Sequence, residues 1–336
     1  MRCVSPCTVP RGSDLVVPAG AVPAGAVPAG LVIVDKPAGM TSHDVVARLR
    51  RLLGTRRIGH AGTLDPMATG VLVCGLQRAT RLLGHLPLEP KVYRGTVRLG
   101  VATSTDDAQG ERLGGVDPSG VGEPEILAGI ADLTGAIEQV PSGVSAVKVG
   151  GQRAYALARA GEVVRLAARP VTVFRFELLA LRSVDGPAID LDVLVECSGG
   201  TYVRALARDL GAVLGVGGHL TALRRTRVGP FGLDGARTLD EIAERPVLTV
   251  GLDEAVAAAF PQRMVTAEQA RVLAHGGELP ATGLAGTSVA FDPAGQAIAL
   301  LTETGSRARP LLVLRPAGCS CGRCGAQPPK RPHEQP

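Results

Sequence analysis

Apolar residues first gather at Leu31-Val32-Ile33-Val34, a continuous run stopped by Asp35-Lys36-Pro37, which predicts a buried strand. Helical spacing follows. Val45, Val46, Leu49, Leu52 and Leu53 recur behind Ser42, the expected N-cap, and ahead of Gly54, the expected stop. Alternation returns over Val92–Val101, predicting a strand that carries Tyr93, whereas Ile126–Leu133 reads as a helix. Between them, residues 106–120 are acidic and glycine-rich and read as a mobile loop. Gln139–Gly151 is bounded by proline and glycine and reads as a loop and strand ahead of an amphipathic helix, Ala154–Ala160. Strands are expected near Val171–Leu181 and Ile189–Cys197, then a helix over Ala205–Leu214. Strands and helices in no strict βαβ order predict an α+β domain over a mixed, largely antiparallel sheet.

The pattern is missing at both ends. Residues 16–30 repeat Val-Pro-Ala-Gly without period, so 1–30 are expected to be disordered, as is the cysteine-containing tail 317–336. A composition shift at Phe260-Pro261 divides a main domain, 31–260, from a small β-rich module, 261–316. In that module Thr266-x-x-Gln269 predicts a capping box, and strands are expected near 287–291, 296–302 and 310–315 with a turn at Asp292-Pro293-Ala294-Gly295. So small a unit is expected to dock on the main domain. The apolar runs are too short and too interrupted to span a membrane. A net charge of +5 and a pI near 9.0 favour a polyanionic partner. Cys74 and Cys197 lie in apolar segments and read as thiols of a cytoplasmic protein. Cys319, Cys321 and Cys324 have only His333 as a distant fourth ligand, so no metal site is assigned.

One run stands apart chemically. Gly59-His60-Ala61-Gly62-Thr63-Leu64-Asp65-Pro66-Met67-Ala68-Thr69-Gly70-Val71-Leu72 sets a single carboxylate among small uncharged residues. Pro66 disfavours the α region at Asp65, and the glycines open conformations closed to other residues. A lone Asp in such a loop is commonly a turn former. With no second carboxylate and no phosphate loop in the run, glycoside acid–base chemistry and nucleotide hydrolysis find no support. A nucleophilic or electrostatic role for Asp65 remains.

The same run resembles the catalytic motif of the TruB-type tRNA pseudouridine synthases, with Ala61 where the family often has Thr. Four further motifs follow the family's order: Val34 to Ser42, with Lys36-Pro37; Lys91-x-Tyr93 up to Leu99-Gly100; Gln139-x-Pro141 to Ser145-Ala146-x-Lys148; and Cys197-Ser198-x-Gly200-Thr201-Tyr202-Val203-Arg204 with His219-Leu220-x-x-Leu223-Arg224-Arg225. Val144 replaces an aromatic residue common in the family. The alanine-, glycine- and arginine-rich composition is actinobacterial-like. The resemblance implies a pseudouridine synthase fold with a PUA-like C-terminal module and conversion of uridine 55, in the T loop of tRNA, to pseudouridine. It implies Asp65 as nucleophile, Arg204 as its ion-pair partner, and Tyr93 stacked on a flipped-out base. Tyr202 and Leu223 would wall the pocket, His60 would sit beside the extruded nucleotide, and Lys36 and Lys148 would contact RNA. No cofactor is implied, and the enzyme is expected to act as a monomer. The alternative is a tRNA-folding chaperone that binds the T arm and whose catalysis is incidental. A guide-RNA-dependent relative acting on ribosomal RNA is disfavoured by the short C-terminal module.

Overall fold

A computed structural model describes residues 15–16, 27–143, 148–149, 152–153 and 166–317. The expected helix 154–160, Ser145 and the cysteine tail lie outside the described residues. Its main sheet contains strands β1 (Gly30–Lys36), β2 (Ile58–Ala61), β3 (Thr69–Leu76), β4 (Lys91–Leu99), β5 (Gly135–Gln139), β6 (Arg169–Ser183), β7 (Ile189–Cys197), β8 (Gly218–Val228) and β9 (Val250–Gly251). They run in the order β9-β1-β3-β8-β4-β7-β6-β5, with β2 on β3 and Phe231–Gly232 on β8. Every neighbouring pair is antiparallel except β3 and β8. Those two meet in parallel over only Thr69↔Arg224 and Gly70↔Arg225. The α+β class and the mixed, largely antiparallel sheet are therefore as predicted.

The longer helices among the described residues are α1 (Ser42–Leu52), α2 (Glu123–Asp132), α3 (Val203–Val213), α4 (Leu239–Glu244), α5 (Leu252–Ala259) and α6 (Ala267–Ala274). Alternation in β1 sends Leu31 and Ile33 into one core and Val32 and Val34 into another, so this half of the sheet is covered on both faces. The second core includes Val45, Val46 and Leu49 of α1 and Ile242 of α4. Across β4 and β7 the inward face packs Val97, Leu99, Leu191 and Val193 against Leu206 and Leu210 of α3. The other face of that half carries ion pairs such as Arg98–Asp190 at 2.7 Å.

Residues 262–313 form a five-stranded sheet of β10 (Gln262–Met264), β11 (Leu279–Pro280), β12 (Thr287–Phe291), β13 (Ala297–Thr304) and β14 (Arg307–Val313), ordered β10-β12-β13-β14-β11. The expected capping box at Thr266 and Gln269 forms, and Asp292 Oδ1 accepts the Ala294 and Gln296 amides in the expected turn. Val289, Phe291, Leu300, Leu312 and Leu314 share one core with Leu31, Ile33 and Val71. Arg315 forks onto Asp253 of α5 at 2.7 and 2.8 Å. The module is thus docked by a continuous apolar core and a bidentate ion pair.

Several expectations are corrected. Thr41, not Ser42, caps α1, in a capping box with Asp44; Ser42 is buried and turned toward the Asp65 loop. Residues within 106–120 are not all loose: Asp106 and Asp107 are buried, and Ala102–Thr103 pairs with Arg112–Gly114. Order also reaches into the segment expected to lack it. Leu15–Val16 pairs with Val247–Leu248, and Val27 is buried in the α1 core. A two-residue pairing needs only backbone groups, which periodicity does not report.

Candidate active site

Asp65 sits on the 62–68 loop between β2 and β3, beside the parallel seam. Several backbone groups of that loop are held by side chains and amides from outside it. Arg225, 1% exposed, donates from Nη2 to Gly62 O at 2.9 Å, from Nη1 to Thr63 O at 3.5 Å and from Nε to Val71 O at 2.8 Å. Ser42 Oγ accepts the Leu64 amide at 2.9 Å and donates to Leu64 O at 3.2 Å. The Gly39 amide and Lys36 Nζ both donate to Pro66 O, at 2.8 and 3.3 Å. Leu64 and Ala68 anchor the loop in the core beneath α3. The carboxylate therefore stands on a rigid platform, as a preorganised reactive group requires.

Gly62, Thr63, Leu64, Asp65, Lys91, Tyr93, Gly200, Thr201, Tyr202, Val203, Arg204, Leu223 and Arg225 line a cleft of about 240 Å³. Arg204 Nε donates to Asp65 Oδ2 at 2.9 Å, and Nη1 donates to Thr105 O at 2.8 Å. The arginine side chain is buried, whereas Asp65 keeps 38% of its side-chain surface open to the cleft. Asp107 Oδ2 stands 3.7 Å from the same Nε. Asp107 is fixed in turn by the Thr105 hydroxyl at 2.6 Å and the Gln109 amide at 3.0 Å. Tyr93, on β4, is buried opposite Arg225; burial pushes its phenol up, against the lowering effect of the guanidinium.

Five expected residues thus converge on one cleft: Asp65, Tyr93, Tyr202, Arg204 and Leu223. The geometry behind Tyr202 and Arg204 differs from simple strand alternation. Tyr202 is the extended N-cap of α3, and Arg204 lies in the helix's first turn. Gln139 fixes that junction, accepting the Tyr202 amide at 2.8 Å and donating to its carbonyl at 3.2 Å.

The remaining expected contacts fall elsewhere. Lys36 is fully buried, and its Nζ donates to Pro37 O at 2.9 Å, Met40 O at 2.6 Å and Pro66 O at 3.3 Å, so it clamps two loops and has no surface for RNA. Burial lowers its pKa to about 8, with Asp65 opposing. His60, on β2, is not part of the cleft wall. Its ring meets His43 edge-on at 5.3 Å, and burial, then His43 and Arg225, lowers its pKa. Lys148 lies in the two-residue strand Lys148–Val149; its side chain is outside the described residues. Lys91, Arg225, Asp107, Gln139 and Ser42 were not singled out as site residues from the sequence. For Arg225 a signal existed: it follows Leu223 by two residues in a strand, hence on the same face.

The chain is similar to known proteins in sequence and in fold. Residues 50–203 match the TruB family pseudouridylate synthase N-terminal domain. Residues 204–259 match the tRNA pseudouridylate synthase B C-terminal domain, and 260–315 match tRNA pseudouridine synthase II, C-terminal. The tRNA pseudouridine synthase B of Nocardia farcinica is 64% identical over 288 residues, covering 86% of this chain and 94% of that one. The chain belongs to the TruB family. The Mycobacterium tuberculosis protein of the same name is 58% identical over 287 residues, 85% of this chain and 96% of that one. In solved structures, the fold resembles an archaeal box H/ACA Nop10–Cbf5 complex (TM-score 0.61, 26% identity, 85% and 86% of the two chains). It also resembles an H/ACA particle bound to a substrate RNA containing 2′-deoxyuridine (TM-score 0.62, 24% identity, 85% of each chain). As a TruB-family enzyme the chain is a pseudouridine synthase, an isomerase. The family boundary at 259/260 falls where α5 ends.

Proposed function

We propose that this enzyme isomerises uridine 55 in the T loop of tRNA to pseudouridine, with Asp65 as nucleophile on a base withdrawn from its stack. The observation that carries this reading is the Asp65–Arg204 pair at 2.9 Å, half-open on a rigid loop and walled by Tyr93, Tyr202 and Leu223. The tRNA substrate is supported by the names of relatives 58–64% identical to the chain. On this reading the enzyme acts as a monomer. No helix among the described residues is long and apolar enough to cross a membrane, and we place the enzyme with its RNA in the cytoplasm.

The reaction breaks N1–C1′, turns the uracil and joins C5 to C1′; one proton leaves C5 and another arrives at N1. No redox or hydrolytic step is needed. Asp65 offers the oxygen nucleophile, and Arg204 holds it in place. Tyr93 stacks on the base, and unstacking costs a few kcal/mol that the aromatic and apolar walls offset. The 261–316 module, PUA-like on this reading, extends the RNA surface, where arginine–phosphate contacts give affinity and folded-loop shape gives selection.

The test is Asp65→Asn in single-turnover assays with enzyme in excess, reading tritium release from C5-labelled T-arm RNA. The expected result is pseudouridine formation lower by about three orders of magnitude or more, over 4 kcal/mol of barrier, with affinity within a few-fold. Turnover within tenfold of the parent removes Asp65 as nucleophile. Refolding of tRNA that survives in this variant reveals a chaperone activity separate from catalysis.

A further inference from the structure

Three cations line the cleft, and two have committed donors. Arg204 is spent on Asp65 and Thr105 O, and Arg225 on Gly62, Thr63 and Val71 carbonyls. Lys91 differs. Its ammonium makes no hydrogen bond and no ion pair within 4.0 Å to any described residue, although burial, then Arg225, depresses its pKa. It precedes Tyr93 by two positions on β4, so both side chains leave the strand on the cleft face. Gly199 leaves room beside it: a Cβ there would stand 2.2 Å from Glu89 Oε1 and 3.2 Å from Lys91 Nζ. Its anionic neighbour Glu89 raises its pKa only from beyond 4.0 Å, so this partly desolvated cation still gains from negative charge that forms beside it.

We propose that Lys91 is a substrate-contacting residue of the isomerisation, its ammonium meeting the negative charge that collects on the uracil ring as the base is detached. The inference rests on the reading of this cleft as the site of isomerisation. When N1–C1′ breaks, its electron pair stays on the ring and spreads over N1 and the O2 and O4 carbonyls, while Asp65 bonds to C1′. After rotation the ring supplies the pair for C5–C1′, the Asp65–C1′ bond breaks back to carboxylate, C5 loses a proton to water, and N1 takes one. If Asp65 instead adds to C6, the C5–C6 pair moves out to O4 as an enolate. Both routes put negative charge on a carbonyl, and a cation on the face of β4 shared with Tyr93 lies by the base rather than on the backbone path of the RNA.

The test compares Lys91→Met, Lys91→Gln and Lys91→Arg with the parent in single-turnover consumption of T-arm RNA carrying uridine or 5-fluorouridine at the target position. Fluorine withdraws electrons and stabilises the ring anion without the protein's help. We expect the two neutral variants to slow the chemical step on uridine about 100-fold, as loss of one charge-stabilising donor does, with affinity within a few-fold. Arginine should restore part of the rate, and the deficit should narrow on 5-fluorouridine. An equal deficit on both substrates makes Lys91 structural and overturns the proposal. So does lost affinity with normal turnover, which marks a phosphate contact, or no deficit at all. If Met or Gln lowers the melting temperature, the substrate dependence of the folded fraction still decides. Failure of the underlying reading shows separately, as turnover that survives Asp65→Asn.

Discussion

Arg204 is held by two carboxylates of different standing. Asp65 faces the cleft, while Asp107 is buried at 3.7 Å and does not line it. Asp107 is a positioning residue: it keeps the guanidinium aimed when Asp65 changes charge. Asp107→Asn should lower the chemical step by about 10- to 100-fold with little change in KM, since the lost interaction orients a group used in the transition state. A rise in KM alone would assign Asp107 to RNA binding. Lys36 makes the converse prediction. Lys36→Met removes three hydrogen bonds to carbonyls, of which Pro66 O keeps the Gly39 amide, so stability should fall by about 2–4 kcal/mol in denaturant titration, while the salt dependence of RNA binding stays unchanged. Its folded pKa of about 8 lies below the ordinary 10.5. Between those values the unfolded chain binds more protons, so stability rises with pH across that window, and Lys36→Met should lose that rise. Of the individual residues, those in contiguous motifs were legible: Asp65, Tyr93, Tyr202, Arg204 and Leu223. Lys36 and His60 lie in motifs just as clear, yet burial gave one a clamping role and packing against His43 gave the other no place in the cleft wall. Motif membership does not encode exposure.

At the scale of elements, the site depends on strands β2, β3 and β8, none of which was predicted from the sequence. Gly59, Gly62 and Gly70 interrupt the apolar pattern, and in Leu223-Arg224-Arg225-Thr226-Arg227 a buried arginine occupies an inward position that alternation would give to an apolar residue. The parallel seam sets a demand at one residue. Gly70 has φ +99° and a Cβ there would lie 2.1 Å from Arg225 O, so Gly70→Ala should cost about 3 kcal/mol or more and depress activity through the Asp65 loop. Gly39, at φ +82° with nothing within 4 Å of its Cβ site, provides the contrast: alanine there should cost about 1–2 kcal/mol. Equal losses in the two variants, measured by chemical denaturation, would show that space at the seam is not limiting. The strands β1 and β7 and the helix α1 were read correctly because β1 is a continuous buried apolar run and burial in β7 and α1 repeats with the period of the element.

For the whole molecule, the predicted division near residue 260 coincides with the end of α5, but the two parts share a core and an Asp253–Arg315 clasp. The full chain should therefore unfold in one transition, and a chain ending at residue 260 should expose Leu31, Ile33 and Val71 and lose solubility or melt lower. Truncation to Leu31, which the lack of pattern makes look harmless, removes buried Val27 and the Leu15–Val16 strand. A lower melting temperature is expected, and an unchanged one would show that these contacts contribute nothing. The sequence by itself determined the class of fold, the order of the main elements, the family and which carboxylate is proposed as nucleophile, because each is written in local periodicity or in contiguous motifs. Only the tertiary structure decided that Asp65 stands at a parallel seam of the sheet, that Arg225 and Lys36 spend their charges on backbone carbonyls, and that Lys91 forms no ion pair within 4.0 Å among the described residues. These depend on which residues far apart in the chain share a surface, a matter of strand register and burial that local sequence does not record.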